Sequence, residues 1–311
     1  MTDLTVSRFG ANNAGGDKTE LFLKVFGGEV LKYFLEATVM DDKHRVRSIS
    51  SGKSAGFPVI GTTTSGYHVP GTTLSGNQIL TGERVISIDG LLVSHASIAS
   101  IDEAMSHFDV RADYARKLGH ALAKTYDQQC IRTVLLAARA ATTVTGGNGG
   151  TVLTNAGYAT TAATLAAGIF SAAQSLDEKN VPSEDRYAVL RPAQYYLLAQ
   201  NTDVMNRDWG GEGAYAAGKI FRIAGVNIVM SNLIPNSVVA AVTGEANNYA
   251  GTFTTTVGTV FQREAIGTVK LMDMATEIEY SARRQGTLML AKIACGHGVL
   301  NPECAVELKT A

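Results

Sequence analysis

The sequence predicts an α+β subunit that is incomplete on its own, and three features carry that prediction. One uninterrupted run of helical periodicity covers residues 101–141. A Gly-, Thr- and Ser-rich excursion with β-like ends covers 46–92. Beyond the long helix, strands alternate with helices, which is the pattern of a mixed α/β module.

The helix is read from its spacing. Ile101, Ala104, Met105, Phe108, Ala112, Ala115, Leu118 and Leu122, then Ile131, Val134, Leu135 and Ala138, recur in steps of three and four. That places them on one apolar stripe. Acids crowd the first half (Asp102, Glu103, Asp109, Asp113) and bases the second (Arg116, Lys117, Lys124, Arg132, Arg139), which suits the helix dipole. Ser100 with Glu103 offers a capping box. About forty residues at about 1.5 Å each make a rod of roughly 60 Å. A compact chain of this size would be roughly 50 Å across, so the rod would span or overrun its own body. The competing reading breaks the helix near Gly119 or Asp127.

The excursion is read from its composition. VRSIS at 46–50 and ERVISIDG at 83–90 bracket a middle full of Gly, Thr and Ser, which predicts a long two-stranded projection. An isolated hairpin is marginal in water, and its open edges invite pairing with another chain. Phe57, Tyr67, Val69 and Leu74 are therefore expected to lie on a neighbouring subunit; the competing reading is a disordered loop.

Elsewhere, residues 19–40 have helical spacing on both sides of Gly27-Gly28, predicting two short helices or one with a joint. The bridge 140–164 holds GGNGG at 146–150, a flexible joint by composition. A helix is expected over 165–179, a strand, a break at Pro192 and another helix over 185–200, and two strands hinged at Gly225 over 219–235. Short strands and turns fill 236–260, and 263–274 is a strand expected to pair with the base of the excursion. Gly296-His297-Gly298 reads as the turn that ends the preceding apolar segment.

The chemistry of turnover has no anchor here. SSGKS at 50–54 lacks the glycine a phosphate-binding loop needs at 47, where Arg47 stands. Six histidines (44, 68, 95, 107, 120, 297) form no metal-ligand spacing, so no metal or other cofactor is expected. No GxSxG elbow occurs. Net charge is -1, which gives no electrostatic footprint for nucleic acid. No apolar run reaches the roughly 18 residues of a membrane span, and the N-terminus lacks a signal-peptide core. Cys130, Cys295 and Cys304 are odd in number without CxxC spacing, as free thiols in a reducing cytoplasm would be.

Several extended strings carry a resemblance: LFLKVFGGEVL (21–31), VRSISSGKSAGFPVIG (46–61), ERVISIDGLL (83–92), IDEAMSHFDVR (101–111), AIGTVKL (265–271) and AKIACGHGVLNPE (291–303). In these the chain resembles the major capsid proteins of autographivirus-type short-tailed phages (podoviruses). The resemblance covers the first 140 residues and the last 45 or so, while 142–262 departs from the pattern.

That family implies the HK97-like fold. Residues 1–45 would be an N-terminal arm, 46–92 an extended β loop, and 93–141 with 263–311 a peripheral domain around the spine helix. Residues 142–262 would be the axial domain gathered at five- and six-fold positions. The resemblance implies an icosahedral head shell of self-assembled pentamers and hexamers. Its further partners would be a scaffolding protein, a portal and packaged double-stranded DNA, with assembly in the host cytoplasm and expansion of a procapsid during maturation. Gly27, Gly28, Gly52, Gly90 and Gly119 are the hinge candidates. Some shells of this fold cross-link a loop lysine to a neighbour; Lys53 is the only lysine between 47 and 90, and no such bond is expected. The alternatives are an encapsulin-type shell around an enzyme cargo and a soluble cytosolic enzyme.

Overall fold

The structure is a computed structural model, and it describes residues 30–34, 37–99, 110–144, 146–200, 222–282 and 285–310. Gly27-Gly28, the first nine residues of the expected spine and part of the expected axial domain (201–221) lie outside the described residues. The chain divides into two compact units. One comprises Met1–Thr38, Leu91–Thr125 and Met272–Ala294; the other comprises Val39–Gly90, Tyr126–Leu271 and Cys295–Ala311.

Helix α1, Val110–Arg139, is continuous for 30 residues, or about 45 Å, and contributes to both units. No break occurs at Gly119 or Asp127. The helix ends at Arg139, two residues short of the expected end, where Ala140 N–H turns back to the Ala137 carbonyl at 3.1 Å. The marked residues Ala115, Leu118, Leu122, Ile131, Val134, Leu135 and Ala138 are buried, and so are Ala123, Tyr126, Asp127, Cys130, Thr133 and Ala137, which the spacing did not mark.

In the first unit, residues 30–34 are helical and bury Val30 and Phe34. Gly119 explains itself here as room rather than as a joint. A Cβ at that position would stand 2.8 Å from the Val30 carbonyl oxygen and 3.1 Å from Phe34 N. Strand β4 (Leu92–Ala99) runs antiparallel to β13 (Gly286–Val299), from Leu92 opposite Ile293 to Ala99 opposite Gly286. Lys292 on β13 pairs with Glu277 on β12 (Ile266–Ser281).

The second unit is built on a six-stranded mixed sheet. Its strands are β5 (Thr151–Thr154), β6 (Arg186–Leu190), β7 (Arg222–Ile223), β8 (Val226–Met230), β11 (Thr256–Gln262) and β14 (Ala305–Lys309), in the order β5-β14-β11-β6-β8-β7. A separate short pair, β9 (Val238–Val239) with β10 (Gly251–Thr252), lies between β8 and β11 in the chain. All seven residues of β11 are buried, as a central strand requires. Its polar members are satisfied: Thr259 donates to the Val306 carbonyl at 3.0 Å, and Thr256 donates to Glu307 at 2.6 Å.

Helix α2 (Ala162–Glu178) packs its Leu165, Ile169, Ala172, Ala173 and Leu176 stripe inward, and α3 (Pro192–Ala199) begins at the expected Pro192. Ala224 and Gly225, at φ 51° and 76°, form the hinge between β7 and β8. Fully buried Glu307 receives two Arg139 donors, Nε and Nη2, each at 2.5 Å, which ties the last turn of α1 to the sheet.

Three sequence expectations need correction. VRSIS does not pair with ERVISIDG. Strand β1 (Arg45–Ser48) runs parallel to the start of β12, while β2 (Ser54–Ile60) pairs with β3 (Thr81–Ser87). Gly52, at φ 115°, turns the chain between β1 and β2 and so resets the register. GGNGG is not a free joint, because Gly147 N–H bonds the Val144 carbonyl and Gly150 N–H bonds the Ala140 carbonyl. Gly296-His297-Gly298 is not a turn but the interior of β13. Its glycines are there for close approach: a Cβ at 296 would lie 2.0 Å from the Ser87 carbonyl oxygen, and one at 298 would lie 2.7 Å from Ile86 Cγ1.

Candidate functional site

The site is the β2–β3 hairpin and the polar core at its root, all within the second unit. The strands pair from Ser54 opposite Ser87 to Ile60 opposite Thr81, and Gly61 N–H adds one more rung to the Leu80 carbonyl at 2.8 Å. Beyond it, residues 61–80 form two arms without regular pairing, held by Asn77 Nδ2 donating to the Thr64 carbonyl at 3.1 Å. The chain reverses at Pro70-Gly71, with Gly71 at φ 92° and Thr72 N–H bonded to the Val69 carbonyl.

Large apolar side chains stand exposed among the Gly, Thr and Ser residues of the projection. Tyr67 is fully exposed, Val69 is 63% exposed and Leu74 78% exposed, with Ile60, Ile79, Leu80 and Val85 also exposed. Phe57 differs from the other three residues expected to meet a neighbour. It is 4% exposed, lies beneath the Arg45 and Arg47 guanidinium groups, and so has no area to offer another subunit.

Its root, by contrast, is tightly bonded. Asp89 Oδ1 accepts Ala246 N–H at 2.7 Å, Asn247 N–H at 3.0 Å and Asn247 Nδ2 at 3.0 Å, while Oδ2 accepts the Tyr249 hydroxyl. Tyr249 in turn accepts His297 N–H at 2.9 Å, and Gly90 N–H donates to the Gly244 carbonyl at 2.7 Å. Burial holds the Tyr249 phenol far above its ordinary pKa, so it stays a donor to Asp89.

Below this lies a chain of neutral groups whose protons are fixed by their partners. The Met40 carbonyl can only accept, so His44 Nδ1, 2.7 Å away, carries a proton and Nε2 is left as an acceptor. Thr268 Oγ1 donates to that Nε2 at 2.6 Å and accepts His297 Nδ1–H at 2.7 Å. Burial pushes the His44 pKa down to about 4, and that of His297 well below its ordinary value. Asp127, on α1, caps the Val39 and Met40 N–H groups at 2.7 and 3.2 Å; burial raises its pKa to about 6.

His44, Cys130 and His297 are metal-ligand types with donor atoms within 4.8 Å of one another. They do not fit an ion as placed. A shared zinc would stand about 2.0–2.1 Å from each nitrogen, and the Thr268 hydroxyl fills that point, 2.6 and 2.7 Å from the two. Burial also pushes the Cys130 thiol well above its ordinary pKa, away from the thiolate a metal requires.

None of Asp89, Asn247, Tyr249, His44 and Thr268 was marked by sequence reasoning. They are single polar residues far apart in the chain, and only the alternation of VISID hinted at a buried end to β3. Of the hinge candidates, Gly52 and Gly90 flank the hairpin, Gly119 sits inside continuous α1, and Gly27-Gly28 fall outside the described residues.

The second unit thus carries a projection anchored at its root with several apolar side chains in water, and comparison with known proteins places the chain in the class of viral shell proteins. The profile of the Gp10A-like major capsid proteins matches residues 56–309. The major capsid protein of Escherichia phage T7 is 35% identical, covering 94% of this chain and 92% of the relative. That of Enterobacteria phage T3 is 34% identical over 95% and 93%. The capsid of cyanophage P-SCSP1u superposes with a TM-score of 0.82 at 46% identity, over 100% of this chain and 99% of that one. The mature capsid of bacteriophage PhiM1 follows at 0.74 and 16%, over 99% and 93%, a likeness of fold alone. The chain belongs to the Gp10A-like family of phage major capsid proteins. It has the HK97-like α+β fold and is a structural protein of the virion shell, which sets aside both the encapsulin and the enzyme alternatives as descriptions of its main role.

Proposed function

We propose that the chain is a structural tile without catalytic turnover, and that it closes an icosahedral head around double-stranded DNA through its hairpin. The loop 61–80 lies over an adjacent copy and buries Tyr67, Val69 and Leu74 there. The observation carrying this is the set of exposed apolar side chains (Tyr67, Val69, Leu74, Ile79 and Leu80) on a projection with open strand edges, which a subunit alone leaves in water.

In this reading residues 1–45 are an arm and 46–92 the extended loop. Residues 93–141 with 263–311 form the peripheral domain, and 142–262 form the axial domain at five- and six-fold positions. A scaffolding protein and a portal direct assembly in the host cytoplasm, and DNA contacts carry no sequence specificity, in keeping with the net charge of -1. Expansion pivots at the hairpin base near Gly52 and Gly90, with Gly27-Gly28 as a second joint, between packings a few kcal/mol apart.

The test replaces residues 61–82 with a short Gly-Ser turn. A subunit with unchanged circular dichroism that no longer forms closed shells is expected; normal particles by electron microscopy would overturn the role of the loop.

A further inference from the structure

Helix α1 carries a basic face within the first unit. From Tyr114 to Tyr126 it has three bases, Arg116, Lys117 and Lys124, and no acid, so this stretch holds +3 with histidine counted neutral. The whole chain, by contrast, has a net charge of -1. At about 100° per residue, Arg116, Lys117, His120, Ala121 and Lys124 fall on one side of the helix, and all five are exposed. Ala115, Leu118, Leu122 and Ala123, which alternate with them, are buried. The bases therefore stand on the water-facing side.

The fold leaves these charges largely to water. Lys117, His120 and Lys124 have no ion pair or hydrogen bond among the described residues. Arg116 lies over the Tyr33 ring at 5.1 Å and reaches Asp113, at the start of the same face, only at 3.9 Å. An exposed pair of that kind contributes little. The helix dipole does not account for the lysines either. Its effect is confined to the last turn, whose base is Arg139, fifteen residues beyond Lys124.

The spacing suits a duplex. Lys117 and Lys124 are two turns apart, about 10.5 Å along the axis. Duplex DNA carries a negative charge about every 1.7 Å of its own axis, so phosphates come within reach of these cations in any register. Lysine meets a phosphate as a point charge and needs no particular base. The exposed residues of the face include no aromatic ring on which an unpaired base could stack, which favours a duplex over a single strand.

We propose that this face of α1 is where the subunit meets duplex DNA, with Arg116, Lys117 and Lys124 on phosphates and no base read. Naming DNA as the polyanion rests on the shell reading above, in which every copy of the chain surrounds the same duplex. The inference goes further by locating the contact, which the net charge of the chain conceals. Each contact is weak alone, and repetition over the copies of a shell strengthens it.

The test titrates a short labelled duplex of arbitrary sequence with the full-length, unassembled subunit, by fluorescence anisotropy at low salt and at fourfold higher salt. Three phosphate contacts give a slope of about −2.7 in log affinity against log salt, hence roughly a 40-fold loss between the two conditions. Lys117→Gln/Lys124→Gln leaves one contact, so its slope is expected to fall to about −0.9 and its loss to roughly fourfold. Its urea midpoint should match wild type, because both side chains are exposed. Lys53→Gln, an exposed lysine elsewhere, should keep the wild-type slope. No binding at low salt, a slope near zero, or a double variant with the wild-type slope overturns the proposal. Polyglutamate bound as tightly as the duplex would point to an acidic protein and overturn the assignment to DNA. A second measurement needs no variant: amine acylation read by mass spectrometry should fall at Lys117 and Lys124, and not at Lys53, when duplex is added. Equal labelling with and without duplex overturns the proposal. Wild type that binds the duplex in this way but forms no shells removes the shell reading and leaves the face; shells without duplex binding remove the face and leave the shell reading.

Discussion

Breaking the Arg139–Glu307 pair from its two sides should give unequal losses. The Glu307 side chain is wholly buried, whereas the Arg139 side chain is 28% exposed. In Arg139→Met the carboxylate keeps one partner, the Thr256 hydroxyl at 2.6 Å, and stays away from water. A buried charge stripped of its partner costs about 3–5 kcal/mol. In Glu307→Gln the guanidinium retains the Thr252 carbonyl at 2.7 Å, the Phe253 ring and access to water. Loss of a charged hydrogen bond of that kind costs about 1.5–3 kcal/mol. Arg139→Met should therefore be the more damaging by about 1–2 kcal/mol, and the double Arg139→Met/Glu307→Gln should recover part of its loss. Urea unfolding of the dilute, unassembled subunit measures all three. Equal losses, or a larger one for Glu307→Gln, would show that partner burial does not set the cost.

Other outcomes follow from the same structure. Gly296→Ala should prevent correct folding, because its methyl would sit 2.0 Å from the Ser87 oxygen, while Gly71→Ala, in open space at φ 92°, should cost only about 1 kcal/mol; soluble yield and urea midpoints separate them. Acid should weaken the subunit. The His44 and His297 pKa values are depressed in the folded state, so their neutral forms favour folding above about pH 6.5, and that contribution is lost as pH falls toward 4. Asp127 acts oppositely, since its pKa raised to about 6 makes acidification through 6 toward 4 favourable to folding. It offsets roughly one histidine, so a net loss remains; a urea midpoint that rises between pH 7 and 5 would refute the assignment. Boiled, reduced particles should run as a single 32.8 kDa band, and a ladder would reveal a covalent bond at Lys53 or elsewhere.

What could be seen in advance depended on how local the cause was. Helix α1 was legible because its core residues repeat within a turn, and α3 because Pro192 both ends β6 and suits a first helical position. The register of the hairpin was not legible, since VRSIS and SAGFPVI are both plausible strands and only the turn at Gly52 separates them. The sequence around His297 misled for a related reason. Glycine marks turns and close approaches alike, and it is Ser87, more than two hundred residues earlier, that makes it the latter. Phe57 was rightly seen as part of the hairpin, but two arginines of β1 cover it. The relay of His44, Thr268 and His297 has no sequence signature at all, because its members meet only after β1, β12 and β13 are in place.

The strand order of the large sheet bears on timing. Strand β14 lies between β5 and β11, so Thr151 waits for Val306 and Phe261 waits for Ala305. Until residues 305–309 arrive, β5 has no neighbour and one edge of the fully buried β11 is open. Ordering so much backbone across such distant pairings is slow, on the order of milliseconds to seconds for far smaller β-rich domains. A chain cut before Ala305 would therefore leave Thr151–Thr154 without its partner strand and one edge of β11 unpaired, among the described residues.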